Sequence, residues 1–160
     1  MAENTPPAPE TSREELMEFY KTYLSSIEVT TNRRQQSNQF FIGLLTALFG
    51  VILALYENGN GSQSQALIYA GGGVIGITLS WIWHRYVRSS VMLNKVKFEI
   101  LEDMENRLGE KPFMKEYKIL KERGYVGLGR LEGRLPWIMM AVFVAVTVYS
   151  LVVFFMSLAS

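Results

Sequence analysis

Three long apolar runs interrupt an otherwise polar chain. The first is Phe40 to Tyr56 (FFIGLLTALFGVILALY), the second Ala66 to Trp83 (ALIYAGGGVIGITLSWIW) and the third Pro136 to Leu158 (PWIMMAVFVAVTVYSLVVFFMSL). None contains an Asp, Glu, Lys or Arg. Runs of about 17 to 23 residues are long enough, as helices, to cross a hydrocarbon core of about 30 Å. A soluble core built on three such helices would need more covering chain than 160 residues supply. The pattern therefore predicts an all-α membrane protein with three transmembrane helices. Pro136 opens the third run, where a missing N–H costs nothing. Trp81, Trp83 and Trp137 sit at run ends, as interfacial indoles do.

Between the runs the periodicity changes. Ser12 and Glu15 form an S-x-x-E capping box ahead of Leu16, Phe19, Tyr20, Tyr23, Leu24 and Ile27, which share one helical face. This amphipathic N-terminal helix is expected to weaken at Val29-Thr30-Thr31-Asn32, where β-branched residues cluster. Its acidic residues outnumber its basic ones, so it suits packing on protein better than binding to anionic lipid. After the second run, no Gly or Pro occurs from His84 to Leu108, and Val91, Phe98, Leu101, Met104 and Leu108 make an apolar stripe. Gly109 and Pro112 bracket a turn. A further helix is predicted from about Phe113 to Arg123, stopped by Gly124, with Phe113, Tyr117 and Leu120 on one face. Leu128, Leu131 and Leu135 repeat at helical spacing toward the third run.

The expected organisation is a disordered tail (1–11), an N-terminal helix (12–39), transmembrane helix 1 (40–56), an outer loop (57–65), transmembrane helix 2 (66–83), a helical hairpin (84–135) and transmembrane helix 3 (136–158). The first 39 residues carry Arg13, Lys21, Arg33 and Arg34; 57–65 carries no Lys or Arg; residues 84–135 carry the remaining twelve of the sixteen. The positive-inside rule then places the N-terminus and 84–135 in the cytoplasm and the C-terminus outside. The hairpin stripes exceed what one copy can bury, which argues for self-association. Small residues recur at i,i+4 in Thr46, Gly50 and Ala54, in Gly72, Gly76 and Ser80, and in Ala141 and Ala145. Such rows let helix backbones approach closely in lipid.

Composition narrows the chemistry. The net charge is +1, which gives no electrostatic case for a nucleic-acid partner. There is no Cys, hence no disulfide, thiolate metal site or Cys nucleophile. No ionisable acid or base lies inside the runs, unlike proton pumps, ion-coupled transporters and voltage sensors. His84 is the single histidine and reads as an interfacial residue. Of the carboxylates Glu99, Glu102, Asp103 and Glu105, helical spacing puts the first three close together, but Lys95, Lys97 and Arg107 are interspersed, which fits a solvated or salt-bridged face. No catalytic, cofactor or metal constellation is expected, and the protein reads as a non-enzyme.

The middle of the chain carries a recognisable order of motifs: Asn94-Lys95-Val96-Lys97-Phe98, then Glu102 and Glu105, then Pro112-Phe113-Met114-Lys115-Glu116, then Leu131-Glu132-Gly133-Arg134-Leu135-Pro136. Over about residues 80–140 this resembles the RipA-like family of small octameric bacterial inner-membrane proteins. A looser similarity is to the SLATT membrane effectors, which have two apolar helices rather than three. The resemblance implies a homo-octamer in the bacterial inner membrane and no particular reaction. On it, Asn94, Lys97, Phe98, Glu102, Glu105, Phe113, Glu116, Glu132 and Pro136 are the expected assembly residues. The charged members would pair across hairpins or subunits to fix register, and the two Phe would anchor the hairpin. Its partners are then further copies of itself, the bilayer and an unidentified protein. The leading expectation is a membrane scaffold with a cytoplasmic helical ring. The alternative is an oligomeric pore, or an effector of a defence or stress system, with Thr78, Ser80 and the glycines of the second run wetting a lumen.

Overall fold

The computed structural model describes residues 12–57, 63–124 and 132–159. The regular elements of these parts are helices: α1 (Arg13–Glu57), α2 (Gln63–Leu108), α3 (Pro112–Glu122) and α4 (Leu135–Ala159). Three of them, α1, α2 and α4, are long and apolar enough to cross a membrane. The expected tail at 1–11, most of the outer loop and the Leu128/Leu131 repeat lie outside the described residues.

The N-terminal cap is a reciprocal box. The Ser12 backbone N–H donates to Glu15 Oε2 at 3.0 Å, and the Glu15 N–H donates to Ser12 Oγ at 3.2 Å. From there α1 continues without interruption through Val29–Asn32, where a weakening was expected. Thr30 turns its hydroxyl back to the Ser26 carbonyl at 2.8 Å, so this β-branched residue is accommodated inside the helix. At the other end of the polar region α2 stops as expected. Gly109 takes φ +82°, and its N–H donates to the Glu105 carbonyl at 3.0 Å. Gly124 takes φ +70° just beyond α3.

The chain divides into two compact units. One is drawn from Met1–Thr30 and Asn94–Tyr125, the other from Thr31–Leu93 and Val126–Ser160. In the second unit α1, α2 and α4 form a three-helix bundle around Leu45, Ile52, Trp83, Val87 and Phe143. Phe41 stacks on Trp83 with ring centroids 6.0 Å apart, and Phe49 meets Phe143 edge-on at 6.2 Å. Glycines set the helix approach on α2. A Cβ at Gly76 would overlap the Phe143 ring, and one at Gly73 would overlap the Thr147 hydroxyl. Gly72 is looser, with Ile52 Cδ1 3.0 Å from where its Cβ would be. Hydroxyls in the apolar stretches bond back to their own helices. Ser80 donates to the Gly76 carbonyl, Thr78 to Val74, Thr147 to Phe143 and Ser150 to Val146, each at 2.8–2.9 Å. In a bilayer core no water is present to satisfy them. Much of the remaining apolar surface of the bundle, including Ile75, Val148 and Phe155, faces outward as a lipid- or partner-facing surface would.

Candidate functional site

Apart from the bundle core, polar side chains are placed in two sets. Both involve residues of the expected assembly motif.

The first set lies in the unit built from the start of α1, the end of α2 and α3. Glu105 is fully buried on the last turns of α2. Its Oε1 accepts two hydrogen bonds, one from Tyr20 Oη of α1 at 3.2 Å and one from the Phe113 N–H at 3.0 Å. The second bond explains why α3 starts where it does. Lys111 occupies the cap position without a side-chain cap bond, and Pro112 follows with no N–H to satisfy. The Phe113 N–H is thus the first free donor of the helix, and a carboxylate facing it also opposes the positive end of the helix dipole. Burial, the nearby Glu105 charge and the bond to that carboxylate together raise the Tyr20 phenol above its ordinary pKa.

About two turns earlier on α2, Lys97 Nζ donates to the Ser26 carbonyl at 3.0 Å, to Ser26 Oγ at 2.7 Å and to Thr30 Oγ1 at 2.6 Å. The ammonium has three donors, and each has an acceptor on α1. The expected partner for Lys97 was a carboxylate; the observed partners are neutral oxygens of the same chain. Asn94, one turn earlier, is buried, and its Oδ1 meets no donor among the described residues. Phe113 is half-buried, whereas Phe98, Glu102 and Glu116 are exposed. These last three border a groove of about 550 Å³ between α2 and α3, whose walls also include Leu101, Tyr117 and Leu120.

The second set lies in the bundle unit. Arg34 Nε is 3.2 Å from Glu132 Oε2, with both side chains largely covered. Trp83 Nε1 donates to the buried Asn38 Oδ1 at 2.9 Å. Pro136 is fully buried at the entry to α4. His84 is half-buried with its ring centroid 5.0 Å from that of Trp137 and 6.2 Å from that of Trp81. Of the small-residue rows, Gly76 and Ser80 are used inside the subunit, and Gly72 meets Ile52. Thr46, Gly50 and Ala54 point outward, and a Cβ at Gly50 would meet nothing within 4 Å.

Thus Lys97, Glu105 and Glu132 bind within the chain, while Phe98, Glu102 and Glu116 remain on its surface. The partners Tyr20, Ser26, Thr30, Arg34 and Asn38 were not singled out from sequence. Polar residues on apolar helix faces were the available signal, and Tyr20 was read there only as part of the apolar stripe. Among the described residues no group of three or more His, Asp or Glu side chains is placed to hold a metal ion.

A family model, that of the octameric membrane protein family (8xMP), matches residues 17–152. The chain belongs to this family. The matched range takes in most of α1, all of α2 and α3, and α4 as far as Val152. Both polar sets therefore fall inside the family-defining region. No curated protein and no solved structure gives a significant match to the chain. Family membership together with three spanning-length apolar helices makes this a multi-pass membrane protein.

Proposed function

We propose that this family member is a homo-octameric scaffold of the bacterial inner membrane, RipA-like in type, whose α2–α3 hairpins form a ring in the cytoplasm. It carries out no catalysis. The N-terminus and residues 84–135 face the cytoplasm and the C-terminus faces outward, on the strength of the Lys/Arg distribution.

The observation that carries the reading is the apolar surface of the unit containing α3. Helix α3 has no buried residue at all. Tyr117 is 64% exposed, Phe98 47%, Val96 44% and Ile119 40%, although none of them lies in an apolar span. Large apolar side chains gathered on a small polar unit mark an interaction surface. In an octameric family, further copies of the chain are the natural occupants. The buried polar contacts support the same reading. Glu105 and Lys97 fix how the hairpin and the N-terminal helix meet, so each copy presents the same rigid surface.

A pore draws less support. The Ser80 hydroxyl, one candidate for wetting a lumen, is buried and bonded to Gly76 within the subunit. Native mass measurement in lipid nanodiscs tests the scaffold: a particle of eight 18.2 kDa chains is expected, and a monomer or dimer would remove the ring. Liposome flux assays separate the two readings, since a scaffold leaves ion leakage at the level of empty vesicles.

A further inference from the structure

The groove between α2 and α3 and the outer side of α3 are complementary surfaces on one chain. The groove is lined by apolar side chains that include Phe98, Leu101, Phe113, Tyr117 and Leu120, and its charged lining is Glu102, Glu105 and Glu116 with the Lys95–Glu99 pair, an acidic excess. Neither Glu102 nor Glu116 has an ion-pair partner among the described residues. On α3, residues three and four apart share a side. Phe113, Tyr117 and Leu120 therefore face the groove, and Lys115, Lys118, Ile119 and Glu122 lie on the opposite side. All four are exposed, and neither lysine has an ion-pair partner among the described residues. The outer side of α3 thus carries one apolar side chain, Ile119, beside two lysines and Glu122, with basic residues in excess. The groove is an apolar trough with an acidic edge.

We infer that the groove of each subunit seats the outer side of α3 from the next copy of the chain. Ile119 enters the apolar trough, and Lys115 and Lys118 meet Glu102 and Glu116. Because trough and ridge are different surfaces, the contact is head-to-tail, the kind that generates a ring when the rotation closes. A two-fold contact of groove on groove would bring like-charged rims together, which opposes it. One 11-residue helix is the wall of one contact and the ridge of the next. Such a helix is marginal when isolated. The Glu105 bond at its start therefore matters for assembly as well as for the hairpin. The inference rests on the octameric reading above and names the surfaces that carry it.

The chain lacks Cys, so introduced thiols report without background. Two singly substituted chains, Glu102→Cys and Lys118→Cys, are co-expressed with different tags, reconstituted in nanodiscs and treated with a short bismaleimide. The expected product is a dimer joining unlike chains, at least tenfold over like-chain dimers. A chain carrying both substitutions should give a ladder of products up to eight. In parallel, Glu102→Lys with Glu116→Lys should lower the octamer fraction on dilution at least tenfold, as should Lys115→Glu with Lys118→Glu. All four reversals in one chain should restore the octamer, which a merely misfolded variant would not do. An intact octamer with no excess of unlike-chain product, or with groove-to-groove products in excess, overturns the inference and leaves the octameric reading standing. A monomeric unmodified chain overturns both. A different protein or a lipid seated in the groove would show as protection of Glu102→Cys from the reagent without any Lys118→Cys product, and this also overturns the inference.

Discussion

Replacing Glu105 tests how α3 is held. In Glu105→Leu the Phe113 N–H loses its acceptor at the start of an 11-residue helix that has no other side-chain cap, and Tyr20 loses the same oxygen. Hydrogen bonds to a charged acceptor contribute about 1.5–3 kcal/mol each where buried. Both contacts are partly buried and the Tyr20 contact is the longer, so about 1 kcal/mol is assigned to it and about 2 kcal/mol to the Phe113 contact. Leucine returns about 1 kcal/mol through apolar burial in the same space. The net loss is about 2 kcal/mol, or roughly a 30-fold rise in the open population of α3. Amide hydrogen exchange on the full chain in nanodiscs reads this directly. Amides of α3 should exchange roughly 30-fold faster, while those of the bundle around Phe143 should be unchanged. Glu105→Gln retains a neutral acceptor and should cost about 0.5–1 kcal/mol, a few-fold in exchange. Unchanged α3 protection in Glu105→Leu would falsify the capping role. An equal loss throughout the bundle would show that the effect is not local.

Three further outcomes follow from the contacts described. Gly76→Val forces a side chain into the Phe143 ring and should lower bundle stability by about 1–3 kcal/mol in a reversible detergent titration, whereas Gly50→Ala, with open space around it, should leave the isolated subunit unaffected. Glu132→Gln leaves Arg34 without its partly covered counter-charge, with an expected loss of about 1–2 kcal/mol; a double-mutant cycle with Arg34→Gln should recover part of it, and strict additivity would rule out coupling. The Tyr20 phenol, raised by burial and then by Glu105, favours its protonated form in the folded chain; its contribution is fully present below the ordinary value of about 10 and is lost as the pH climbs through the raised one. The loss of α3-unit stability at alkaline pH should therefore be smaller in Tyr20→Phe, and an identical pH profile would contradict the assignment.

Much of the architecture is legible one residue at a time because its causes are local. A charge-free run of spanning length has few alternatives to a membrane helix, and the three runs correspond to α1, α2 and α4. The S-x-x-E box and the Gly109 and Gly124 stops act within a few bonds, so they appear as read, while Pro112, read as part of the turn, is the first residue of α3. The weakening expected at Val29–Asn32 does not interrupt the helix, because intrinsic propensity there is a small effect beside the helix on either side and the Lys97 contacts to Ser26 and Thr30. What tertiary structure alone decides is which polar residues meet. Tyr20 and Glu105 are 85 positions apart, Lys97 and Ser26 are 71, and Asn38 and Trp83 are 45. No periodicity in one helix specifies a partner on another. For the same reason the two small-residue rows looked equivalent in sequence. The row on α2 is largely spent within the subunit, while Thr46, Gly50 and Ala54 on α1 stay on its surface, since a helix has two sides and only packing chooses which is covered.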